Sequence, residues 1–79
     1  MSNGDYLHFK FNLESIRNHI IFLRESKGWS SYKLALNSDM RTSVLRRIEK
    51  GERQPSLDTI LKIIDGLEMT PAEFFKGLE

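Results

Sequence analysis

The sequence predicts an all-α domain, compact and built from five helices, and three observations predict it. Apolar residues recur three and four positions apart along most of the chain after residue 12, the spacing of one helical face. Asn12, Ser30, Ser56 and Thr70, residues that cap helix N-termini, stand before those periodic stretches. Gly28 and Gly51 follow two of them, where a chain leaving a helix turns left-handed. Tyr6–Phe11 departs from this pattern. Leu7, Phe9 and Phe11 alternate with Tyr6, His8 and Lys10, a period of two that predicts a short N-terminal β-strand.

A chain of 79 residues has room for one small domain. It holds no cysteine, which excludes disulfides, a Cys-ligated zinc site and a thiol nucleophile. No apolar run approaches the roughly 20 residues of a membrane span, and no basic-then-apolar leader opens the chain, so a cytoplasmic protein is expected. A domain this small gains from self-association, so dimerisation is a plausible source of added stability. The net charge of +1 conceals an asymmetry. Residues 41–53 hold five basic and two acidic side chains, whereas residues 54–79 hold two basic and five acidic. A run of charge alone usually marks a solvated face. Concentrated on one helix and the following loop, it suits a nucleic-acid surface.

Residues 1–12 are read as an N-terminal arm and 13–79 as the helical domain. A lone strand must pair or pack. The arm therefore either crosses to a second subunit or lies over its own helices, and a dimer contact is the expectation. The first helix is expected from Leu13 to Lys27 behind Asn12, burying Ile16, Ile20 and Leu23, with Ile21 and Phe22 off that stripe. Trp29 is expected in the core between the first and second helices. His8 and His19 lack acidic neighbours at ligand spacing and are read as packing or solvent-facing residues. No metal, cofactor or small-molecule ligand is expected.

Ser31 to Gly51 is the stretch around which the rest is arranged. Two short helices meet there at the turn Ser38–Asp39–Met40, with Leu34, Ala35, Met40, Leu45 and Ile48 placed to pack them. Ala35 is small enough to let a second helix cross closely. The second of these helices spans about Thr42 to Lys50. Leu45 and Ile48 face inward, and Thr42, Ser43, Arg46, Arg47 and Lys50 face outward. A helix of that kind fits a DNA major groove. The fourth helix follows Ser56 and is expected to bury Leu57, Ile60, Leu61, Ile64 and Leu67; Gly66 should weaken it by about 1 kcal/mol relative to alanine. Thr70–Pro71–Ala72–Glu73 is a capping box with proline at N1, and starts the fifth helix. One of Phe74 and Phe75 should complete the core. The other and Leu78 either meet a partner subunit or pack internally.

From about Leu13 to Phe75 the chain resembles the phage-repressor (Cro/C1-type, XRE-like) helix-turn-helix family. The resemblance rests on KGWS before the first motif helix, KLA within it, RIEKG followed by QPSLDTI after the second, and MTPAEFF near the end. It implies a repressor-like fold and sequence-specific DNA binding as a homodimer. It also implies an ion pair between Arg24 and Glu49 that ties the recognition helix to the first helix, which makes Glu49 structural and not catalytic. By position, the base-reading residues fall on Thr42, Ser43 and Arg47, with Val44 beside them. Arg47 is favoured because a guanidinium grips guanine O6 and N7 bidentately, and Val44 can touch a thymine methyl. Ser31, Tyr32, Arg41, Arg46, Lys50 and Arg53 are the expected phosphate contacts. The family often has glutamine where Ser31 stands, glycine where Asp39 stands and a serine cap where Arg41 stands. Asp39 is therefore expected at positive φ, which aspartate tolerates better than most residues.

The competing reading is an adaptor or antitoxin whose main partner is another protein, favoured by an exposed apolar arm. An enzyme is not expected, because the sequence has no nucleophile–base arrangement, metal cluster or phosphate-binding glycine loop.

Overall fold

The computed structural model describes residues 12–79. These residues form α1 (Leu13–Ser26), α2 (Ser31–Asn37), α3 (Thr42–Glu49), α4 (Leu57–Gly66) and α5 (Pro71–Lys76). Every described element is helical. The strand expected within Tyr6–Phe11, like His8, lies outside the described residues.

The caps fall where the side-chain chemistry placed them. Asn12 accepts from the Ser15 amide at 2.8 Å, and Ser15 Oγ accepts from the Asn12 amide at 3.0 Å, a reciprocal box. Ser30 and Ser56 accept from the amides of Lys33 and Thr59. Thr70 and Glu73 close a second box, with Pro71 at N1. Arg41 starts α3 without any side-chain cap.

Four helices end on a left-handed residue. Gly28 and Gly51 take φ of +70° and +78° without a Cβ to clash. Asp39 takes +53°, as expected, and lets the Met40 amide reach back to the Ala35 carbonyl at 3.0 Å. Glu68 takes +64°, and nothing in the sequence announced it.

The core consists of Ile20, Leu34, Ala35, Leu45, Ile48, Ile60, Ile63, Ile64, Leu67 and Phe74. Ile16, Leu23, Met40 and Val44 pack half-buried at its edge. Of the two aromatic residues of α5, Phe74 enters the core; Phe75 stands edge-on to it at 5.2 Å and, like Leu78, is half-buried against the core. His19 packs against Phe74, its ring 4.8 Å away. Trp29 is not fully enclosed. It lies half-buried at the core edge, with the ammonium groups of Lys27 and Lys33 over its ring at 5.0 and 5.6 Å.

Two expectations for α4 are overturned. Leu57 and Leu61 are 65% and 38% exposed, and Ile63, which was not expected inside, is fully buried. The buried face runs Ile60, Ile63, Ile64, Leu67, a spacing of three, four and seven. At about 100° per residue, Leu61 stands about 110° from the middle of that face, and Leu57 about 70° from it in the first turn. Gly66 also differs from its reading as a weak point. A Cβ there would lie 2.1 Å from Ser38 Oγ and 3.0 Å from the Ser38 amide nitrogen. Asn37 Nδ2 donates to the Gly66 carbonyl at 3.2 Å across the same contact. The missing side chain lets the ends of α2 and α4 touch.

Candidate nucleic-acid interface

Three things hold α3 in place. Leu45 and Ile48 bury its inner face completely or nearly so. The C-terminal end is tied to α1, since Arg24 Nε donates to Glu49 Oε2 at 2.8 Å and Arg24 Nη2 to Glu49 Oε1 at 3.2 Å. The third guanidinium nitrogen, Nη1, donates to the Trp29 carbonyl at 2.8 Å. The planar fork of arginine matches a carboxylate and still has a donor left for the loop after α1. Finally, Gly51 ends the helix with no side chain, and the Arg17 guanidinium lies where a Cβ would come within 2.9 Å.

With the inner face buried, α3 has one face left for solvent. Ser43, Arg46 and Arg47 are exposed on it, and Thr42 and Val44 are half-buried at its sides. Arg41 before the helix, and Lys50 and Arg53 after it, extend the exposed positive surface. Tyr32 on α2 is exposed, while Ser31 is half-buried. Among the described residues, none of Arg41, Arg46, Arg47, Lys50 and Arg53 has an ion-pair or side-chain hydrogen-bond partner. Solvated cations without internal partners are available to a polyanion, which gains by releasing its counterions. Arg46 and Arg47 also sit in the last turn of α3, where positive charge complements the helix dipole.

Sequence reasoning missed two contributors. Ser31 Oγ donates to Glu49 Oε1 at 3.2 Å, so the hydroxyl expected on a phosphate is engaged inside the domain. Arg17 packs over Gly51 beside the recognition helix. Its spacing from Arg24 carried a usable signal: seven residues is two helical turns, which puts both arginines on the α1 face that meets α3. Among the described residues, no group of three His, Asp or Glu side chains is placed to hold a metal ion, and no helix is long and apolar enough to cross a membrane.

Against known proteins, the model of the helix-turn-helix family matches residues 20–74. An HTH-type transcriptional regulator of Mycobacterium tuberculosis strain H37Rv, Rv0023, is 36% identical over 65 residues, 82% of this chain. A counterpart in Mycobacterium bovis, Mb0023, is equally similar. The chain spans about 25% of the length of these relatives. Among solved structures, the wild-type restriction-modification controller protein C.Esp1396I superposes with a TM-score of 0.80 at 27% identity, covering 84% of this chain and 85% of its own. It has also been solved as a tetramer in complex with its natural 35 base-pair operator. The controller protein C.AhdI from Aeromonas hydrophila is 35% identical with a TM-score of 0.71, over 80% of this chain and 96% of its own.

Proposed function

Because the chain belongs to the helix-turn-helix family, we propose that it is a sequence-specific DNA-binding transcriptional regulator, acting as a homodimer on a near-palindromic operator. The observation that carries this reading is the unpaired basic face of α3, held outward by Leu45, Ile48 and the Arg24–Glu49 pair. Two copies related by a two-fold axis would set their α3 helices in successive major grooves, about 34 Å apart. The likeness to a controller protein solved on its operator supports this mode of binding. Work on the cell's DNA fits a cytoplasmic location, which is part of this reading.

Within this reading Arg47 reads guanine, Thr42 and Ser43 reach base edges, and Val44 meets a thymine methyl. Arg41, Arg46, Lys50, Arg53 and Tyr32 hold phosphates and set the register of the helix in the groove. Ser31 joins them by releasing Glu49. A protein-binding module is the second reading, and the exposed side chains of Phe22, Leu36 and Leu57 favour it.

Selection of bound sequences from a random DNA pool, followed by a salt titration of the winner, tests the proposal. A symmetric site whose affinity falls steeply with salt is the expected result. Equal binding to all duplexes, or affinity indifferent to salt, would overturn it.

A further inference from the structure

Arg17 belongs to α1, yet its guanidinium lies over Gly51, the residue that follows the last turn of the recognition helix. Its Nη1 and Cζ atoms stand 2.9 and 3.2 Å from where a Cβ on residue 51 would be, so glycine there makes room for an arginine from another helix. Among the described residues, the partner of this guanidinium is Glu14, three positions earlier on α1, at 3.8 Å. The two side chains are 28% and 51% exposed. An ion pair so long and so open to water contributes little. Arg24, two turns further along the same face, is different: all three of its guanidinium nitrogens donate, to Glu49 and to the Trp29 carbonyl. One of the two arginines is used up inside the domain, and the other keeps its donors.

The position of those donors gives them a use. Arg17, Glu14, Arg53 and Gln54 stand around one cleft of about 290 Å³ between α1 and the loop after α3. Arg53 is exposed and, among the described residues, has no ion-pair partner. Two guanidinium groups from separate elements therefore flank the end of α3 that carries Lys50.

We propose that Arg17 is a further phosphate contact of the DNA-binding surface, gripping with Arg53 a backbone phosphate beyond the C-terminal end of α3. This inference rests on the DNA-binding reading above. The planar fork of arginine offers parallel N–H donors to two phosphate oxygens. The phosphate replaces Glu14, a weak and water-exposed partner, so little is lost in the exchange. A contact from α1 also does what contacts from α3 alone do not. The Arg24–Glu49 pair ties α1 to the recognition helix, so a phosphate held by Arg17 fixes the tilt of α3 in the groove. Arg17 is thus a positioning residue and reads no base.

The test compares the parent chain with Arg17→Met and Arg17→Lys on the duplex selected by the parent. Methionine keeps an apolar stem over Gly51 and removes the charge. Arg17→Met should weaken all sequences alike, by roughly tenfold, and lower the slope of log affinity against log salt by about one. Arg17→Lys should keep the slope of the parent. A slope equally reduced in Arg17→Lys would trace the loss to packing over Gly51 and overturn the assignment. The phosphates of the duplex are then replaced one at a time by uncharged methylphosphonate. At one position in each half-site the replacement should cost the parent about tenfold and Arg17→Met no more than about threefold. Identical profiles for the two proteins would overturn the phosphate contact. The two levels of failure are distinct: a parent chain without a preferred site or a salt response sinks the DNA-binding reading and this inference with it, whereas a normal parent matched in slope by Arg17→Met sinks this inference alone.

Discussion

Arg24 and Glu49 lie 25 positions apart in sequence and form two parallel hydrogen bonds, at 2.8 and 3.2 Å. Their side chains are 14% and 9% exposed, so the pair is largely withdrawn from water. Each partner also has a further contact, Arg24 with the Trp29 carbonyl and Glu49 with the Ser31 hydroxyl. Desolvating the two charges offsets much of their attraction, so the intact pair adds little net stability. Removing one partner is different, because it strands the other. Arg24→Ala should cost about 3 kcal/mol in urea unfolding, the low end for a buried stranded charge. A double replacement of Arg24 and Glu49 by methionine should recover most of that loss. If the single and double variants were equally destabilised, the pair would not be the source of the cost.

The roles assigned on α3 separate by salt and sequence. Arg47→Ala should weaken the preferred site by about 1–3 kcal/mol and relax base choice at one position. Lys50→Ala should weaken all sequences alike and reduce the slope of log affinity against log salt by about one. Selection from a random pool and a salt titration read the two effects. An unchanged sequence preference in Arg47→Ala would remove that residue from base reading.

At the contact of Gly66 with Ser38, the Ser38 hydroxyl is buried without a hydrogen-bond partner. Ser38→Ala should therefore be neutral or stabilising, by up to about 1 kcal/mol. Gly66→Ala should destabilise by about 1–3 kcal/mol despite its better helix propensity, because backbone atoms of Ser38 leave no room. Combining the two changes should recover part of the loss, since the oxygen nearest the new methyl is gone. Chemical denaturation of the three variants measures this coupling.

Glu68 holds a φ of +64°, where an L side chain crowds its own backbone. Glu68→Gly should raise the unfolding free energy by about 1 kcal/mol. The same change at Glu79, beyond the last helix, should do nothing measurable. Thermal melts side by side would distinguish relief of strain from a simple charge effect.

The Thr70 amide donates to Glu73 Oε1 at 2.8 Å, and this bond, helped by the Thr70 hydroxyl, lowers the Glu73 pKa from its ordinary value. A carboxyl with a lowered folded pKa stabilises the fold above its unfolded pKa, about 4.3 for glutamate. That contribution fades as pH falls through the lower folded value. Between pH 6 and pH 3 the urea midpoint should thus drop more in the parent chain than in Glu73→Gln. An identical drop in both would show that the box does not contribute to acid sensitivity.

What could be read directly from the residues was local. Caps and helix ends depend on groups three to five positions apart, so Asn12, Ser30, Ser56, Thr70, Gly28 and Gly51 marked the helices without any tertiary information. The family resemblance added Arg24 with Glu49 and the positive φ at Asp39, both read from positions in a shared pattern. Which rows of α4 turn inward was decided elsewhere. Leu57, Leu61 and Ile63 are all apolar, and their own chemistry does not say which of them its neighbours will cover. The same holds for Gly66, for Ser31 on Glu49 and for Arg17 over Gly51. Each depends on two segments distant in sequence meeting within a few ångströms, and only the close packing of helices against one another sets such distances.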